Sequence, residues 1–152
     1  MRRKALIAAL ASLCACAPAQ AKTDGPSQLQ FVWPAQGTIT SPFGNDNGRW
    51  HPGLDIGTLR SLTVRAAADG IVTRVGMQPG YDGYGNVVVV RMARGFDALY
   101  AHLAAWHVRV GWHVSANEPI AVAGCTGWCT GTHLHFELRE WGSPVSPLEF
   151  LG

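Results

Sequence analysis

Three short segments of this chain carry side chains that can do chemistry: His51-Pro52-Gly53-Leu54-Asp55, Tyr100-Ala101-His102-Leu103 and His133-Leu134-His135. Imidazole nitrogen and carboxylate oxygen are good zinc ligands, and a catalytic zinc keeps three protein ligands with one position open for water. His51 and Asp55 offer one nitrogen and one oxygen donor four residues apart. Pro52 and Gly53 between them rule out a regular helix, so a bend must bring the two donors together. In His133-Leu134-His135, strand alternation puts both imidazoles on one face, so one can hold a metal while the other stands beside it. Singly, each signal is weak. A His-x-His also describes two solvent-facing strand residues, a His-x-x-x-Asp describes a surface turn, and His102 between Ala101 and Leu103 fits a core histidine.

The elements that must position these groups read as β. Short apolar runs at 63–67, 71–75, 86–92, 98–103, 120–123 and 133–139 are separated by turn signals such as Asn47-Gly48, Asp69-Gly70 and Asp82-Gly83. Beyond residue 21 no segment sustains apolar residues at helical spacing. Glycine is 18 of 152 residues, above its usual share of about 7%, which suits tight turns. The expected fold class is therefore all-β, in one small domain.

The chain opens Met1-Arg2-Arg3-Lys4, continues through an apolar run over 5–17 and reaches Ala19-Gln20-Ala21. A basic head, a short apolar stretch and a small-x-small site are the layout of a secretory signal peptide. The run falls short of the roughly 20 residues that span a bilayer, so no transmembrane helix is expected in the mature chain. Residues 1–21 are the expected signal, 22–30 a short tail and 31–152 the folded domain, located in the periplasm or the extracellular space. Leu13-Cys14-Ala15-Cys16 also resembles a lipobox, which would put a lipid on Cys16. Cys14 is atypical within such a box, so lipid anchoring ranks second.

With the signal gone, nine Lys/Arg face ten Asp/Glu, a net charge near −1. The formal +2 of the whole chain thus belongs to the export signal, and the compositional case for a nucleic-acid partner leaves with it. A monomer is the expected state. Cys125 and Cys129 remain in the mature chain. Two cysteines in an oxidising compartment pair, and a disulfide is the favoured reading. The rival reading makes them zinc thiolates, but a better ligand set stands elsewhere.

Taken together and in order, the three segments resemble the lysostaphin/LytM-like zinc peptidases, whose pattern is His-x-x-x-Asp, then Tyr-x-His-Leu, then His-x-His. The likeness extends to Ile39-Thr40-Ser41-Pro42-Phe43-Gly44, Ala66-Ala67-Ala68-Asp69-Gly70-Ile71-Val72, Gly83-Tyr84-Gly85-Asn86 and Thr126-Gly127-Trp128-Cys129-Thr130-Gly131. It covers residues 31–140. The resemblance implies an antiparallel β-sheet with a groove. It implies one Zn2+ per chain on His51, Asp55 and His135, with His102 and His133 as the catalytic histidines beside it. A zinc held there would polarise a scissile carbonyl and lower the pKa of water towards about 7. The two histidines would act as general base or oxyanion stabiliser.

The implied substrate and partner is peptidoglycan, cut in its cross-bridges or stem peptides. Tyr84, Trp50, Trp112 and Trp128 are candidate groove aromatics, with core packing the competing reading. Some relatives have lost metal ligands and regulate other wall enzymes without cutting. This chain keeps every ligand, which favours an active enzyme over a noncatalytic regulator. A zinc amidase or carboxypeptidase on the same wall is the nearest alternative. Among the departures, Asn117 stands where a glycine is common, and Cys125 and Cys129 replace small or polar residues. Glu137 shares the strand face of His135 without an assigned role. His107 and His113 match no catalytic position and read as surface or structural residues.

Overall fold

The computed structural model describes residues 30–152. The expected signal peptide, its Cys16 and tail residues 22–29 lie outside the described residues. Thirteen short strands run in chain order: β1 Thr38–Ser41, β2 Gly44–Asp46, β3 Arg49–His51, β4 Leu54–Gly57, β5 Thr63–Arg65, β6 Gly70–Gly76, β7 Val87–Met92, β8 Phe96–Ala101, β9 Leu103–Trp106, β10 His113–Val114, β11 Pro119–Ala123, β12 Leu134–Glu140 and β13 Ser143–Val145. Among the described residues, helix is limited to two 3-10 turns, Ala93–Gly95 and Pro147–Glu149. None is long and apolar enough to cross a membrane.

The main sheet has the order β1-β4-β12-β8-β7-β6-β10, with β13 pairing β12 off that path. A smaller sheet runs β5-β11-β9, and β2-β3 form a separate hairpin. All of these pairings are antiparallel. The all-β expectation and the antiparallel sheet with a groove both hold.

Side-chain alternation explains how the sheets meet. Along β12, Leu134, Phe136 and Leu138 enter the core. His135, Glu137 and Arg139 therefore face the other side of the sheet. Tyr100, Leu54, Ile56, Val88 and Val90 from the main sheet share that core with Val64, Ile120 and Leu103 from the smaller one. The run Val87-Val88-Val89-Val90 is buried on both faces. Its odd members join Leu99 and Ala101 in a second cluster under Tyr81 and Tyr84. A central strand covered on both faces reads as a continuous apolar run rather than an alternating one.

Two expectations need correction. The run 98–103 is not one strand: it breaks at His102, whose φ is 58°. Its backbone N–H donates to the Tyr84 carbonyl and that of Leu103 to Asn86, at 2.9 and 3.1 Å. Those bonds turn the chain out of the main sheet, and β9 then pairs with β11. The segment 38–57 lies outside the expected apolar runs, yet it supplies β1 to β4. These strands are short and largely exposed outside β4, so they carry little apolar signal.

Candidate metal centre and groove

The pairing of β4 with β12 sets Asp55 directly opposite His135. His51 must then swing back over both, and Pro52-Gly53 provides the bend. A Cβ on Gly53 would lie 2.6 Å from the Phe136 carbonyl and 2.8 Å from His135 Cε1. Only glycine lets the backbone pass that close to β12.

Three donor atoms meet as a result. His51 Nε2 lies 3.1 Å from His135 Nδ1 and 3.2 Å from Asp55 Oδ1, and the last two are 2.7 Å apart. Ligand atoms of a tetrahedral zinc, bound at about 2.0–2.1 Å, stand about 3.3 Å from each other. Two nitrogens and one carboxylate oxygen at this spacing fit the face of such a polyhedron, so the residues present fit the expected ion.

The expected catalytic histidines stand beside this triangle. The His102 and His133 rings are 4.6 Å apart between centroids, and His102 is 5.8 Å from His135. His133 Nε2 is 3.9 Å from Asp55 Oδ1. Each of the four rings donates an N–H away from the centre. His51 Nδ1 donates to the Pro42 carbonyl, His102 Nδ1 to Thr126 and His133 Nδ1 to Gly131, all at 2.8 Å. His135 Nε2 donates to Glu137 Oε1 at 3.1 Å.

Charge is distributed to match. Burial would raise the Asp55 carboxyl, but hydrogen bonds from His135 and His51 outweigh it and hold it well below its ordinary range. Burial likewise opposes charge on His135, yet its bonds to Asp55 and Glu137 lift it to about 9. The same pairing with two carboxylates favours the protonated form of His135. Burial lowers the pKa of His102, which favours its neutral form.

The five residues line a cleft of about 460 Å³. Trp50, Tyr84 and Trp128 line it too, as three of the four candidate groove aromatics. Trp112 does not. It follows the edge of the sheet beside β10, with the Arg109 guanidinium 5.7 Å from its ring. His107 and His113 are exposed and lie outside the cleft lining.

Cys125 and Cys129 form a disulfide with Cα atoms 5.4 Å apart, so neither offers a thiolate. The loop they close carries Thr126, whose hydroxyl donates to the Leu103 carbonyl at 2.9 Å and accepts from the Asn86 N–H at 3.0 Å. Sequence reasoning left out the cluster behind His135, formed by Glu137, Tyr84 and Arg139. The signal was the shared strand face; burial supplies what the sequence could not.

Residues 49–147 match the model of Peptidase family M23. The chain belongs to that family. This M23 chain is 42% identical over 116 residues to the DD-carboxypeptidase/endopeptidase Mpg of Neisseria meningitidis serogroup B, covering 72% of itself and 26% of that protein. It is 35% identical over 119 residues to the murein hydrolase activator NlpD of Escherichia coli, covering 78% of itself and 30% of that protein. It thus spans about a quarter to a third of the length of these two relatives.

Among solved structures, the M23 chain is similar to a zinc containing peptidase from Vibrio cholerae, with 30% identity and a TM-score of 0.68 over 80% of this chain and 40% of that one. It is also similar to the catalytic domain of the antimicrobial peptidase lysostaphin from Staphylococcus simulans. There the identity is 28% and the TM-score 0.62, over 76% of this chain and 91% of that one.

Proposed function

We propose that this M23 chain is an exported zinc endopeptidase that hydrolyses peptide bonds in peptidoglycan cross-links or stem peptides. Residues 1–21 act as the signal, and 31–152 form the peptidase domain. The observation that carries the reading is the convergence of His51, Asp55 and His135 beside His102 and His133 on one open cleft.

His51, Asp55 and His135 hold the ion, which when bound supplies Lewis acidity towards a carbonyl and towards water. His102 and His133 each fix Nδ1–H on a backbone carbonyl, which leaves Nε2 for proton transfer. The Nε2 lone pair of one of the pair accepts a proton from the attacking water, and the imidazolium so formed passes that proton to the departing amine. The other donates to the developing oxyanion when it carries a proton on both nitrogens. An extended peptide fits the cleft, whose rim carries the exposed rings of Trp50 and Trp128.

A second reading is regulation of another wall hydrolase without cleavage, and the similarity to a murein hydrolase activator favours it. The intact donor set weighs against it. Purified protein lacking residues 1–21, loaded with zinc, is incubated with bacterial sacculi, and the released fragments are identified by mass spectrometry beside a His102→Ala control. New amino and carboxyl ends within cross-linking peptides, absent from the control, are the expected result. Release of terminal residues alone would make it a carboxypeptidase. Intact sacculi with one zinc per chain would establish the regulatory reading.

A further inference from the structure

Glu137 is fully enclosed, at 0% exposure. Carboxylates almost never adopt that state unless paired. Three donors reach it: His135 Nε2 at 3.1 Å and the Tyr84 hydroxyl at 2.5 Å on Oε1, and Arg139 Nε at 2.7 Å on Oε2. Both oxygens are engaged, and the guanidinium balances the charge. Arg139 is itself held over the Tyr81 ring, 5.6 Å from its centroid.

We infer that Glu137 is a positioning residue of the metal centre: its carboxylate takes the Nε2–H of His135 and so turns Nδ1 towards His51 and Asp55. The inference rests on the reading of those three residues as metal ligands. The strand fixes only the Cα and Cβ of His135. An imidazole can still rotate about its last torsion and exchange tautomers, presenting either nitrogen to the cleft. Glu137 sits two residues along on the same face and accepts one ring N–H, which removes the alternative. Carboxylate partners of this kind orient ligating histidines and raise their basicity.

Tyr84 completes the device from the cleft side. It lines the groove, sets its ring 5.3 Å from that of His135 and donates its hydroxyl to Glu137. The Glu137 carboxylate is thereby clamped between the groove wall and Arg139. A purely architectural cluster would tie β12 to the 81–84 segment and do nothing to the ring nitrogens.

The test compares the purified protein with Glu137→Gln, Glu137→Ala and Tyr84→Phe. Zinc dissociation constants come from chelator competition, and nitrogen NMR of histidine-labelled, zinc-loaded protein reports the state of each ring nitrogen. The expected result is His135 with a proton on Nε2 and zinc on Nδ1, and zinc binding weakened about 10–100-fold in Glu137→Ala. Glu137→Gln, which keeps an acceptor oxygen, recovers part of that loss, and Tyr84→Phe shows a smaller one. Unchanged zinc affinity in Glu137→Ala and Glu137→Gln, or zinc on His135 Nε2, would overturn the inference. If Glu137→Ala does not fold, Glu137→Gln and the wild-type spectrum still decide. Wild-type protein that binds no zinc, or binds it equally well as His51→Ala, would instead bring down the ligand reading itself.

Discussion

At the scale of single residues, one of the four histidines of the cleft is set apart by what lies behind it. His51, His102 and His133 lean on main-chain carbonyls, whereas His135 is backed by a carboxylate and faces Asp55 at 2.7 Å. His135→Ala should therefore lose both zinc and activity. His133→Ala should keep one zinc per chain and lose about 10²–10⁴-fold in turnover, the usual contribution of a proton-transferring side chain. Metal content after gel filtration, measured beside the rate of peptide release, checks the division; equal zinc loss in the two variants would reject it. The five residues that meet in the cleft stand out in the sequence because their order along the chain is specific even though each alone is common. Glu137 was visible only as a neighbour on the strand, since a sequence shows which face a residue shares but not how deeply that face is covered.

At the scale of elements, the strands that the apolar pattern exposes, alternating or continuous, are those with buried apolar side chains, and β6, β7, β11 and β12 lie within two residues of the expected runs. What pattern cannot show is where a strand bends to serve a site. The turn at His102 depends on bonds to Tyr84 and Asn86, residues some sixteen to eighteen positions away. Asn117, at φ 68°, fills a left-handed position that asparagine tolerates next best to glycine. Gly85 is less forgiving. Its φ is 65°, and an added Cβ would lie 2.4 Å from the backbone carbon of Thr126. Gly85→Ala should destabilise the domain by more than about 1 kcal/mol. It should also shift the Thr126 carbonyl from His102, so that activity falls while zinc is retained. Urea unfolding and zinc analysis of the same preparation test this; activity and stability equal to wild type would refute it.

At the scale of the whole molecule, the class of fold followed from strand periodicity, but the joining of two sheets around one core did not, because register between distant strands leaves no local trace. Tyr100 sits at that junction, fully buried, and accepts a hydrogen bond from the Ala67 N–H at 2.8 Å. Burial pushes its phenol well above the ordinary 10.0. Above about pH 10 the unfolded chain releases this proton and the folded one keeps it. Stability should then fall with rising pH, by up to about 1.4 kcal/mol per unit from this group. Tyr100→Phe should be less stable at neutral pH by about 1–3 kcal/mol, from the unpaired Ala67 N–H, yet show a shallower alkaline decline. Unfolding free energies of metal-free protein across that range give the comparison, and parallel declines would contradict it.

The two ends of the described chain are bridged, Phe31 beside Leu151, and the Phe31 ring packs 5.4 Å from that of Phe96. Phe96 begins β8, whose other end leads into His102, about 20 Å away along a strand of this length. The described chain therefore begins and ends beside the Phe96 end of β8, a strand's length from His102. Phe31 and Leu151 thus close the domain at one end of the strand whose other end delivers a histidine to the cleft, so the seam of the fold and its chemistry share a single strand.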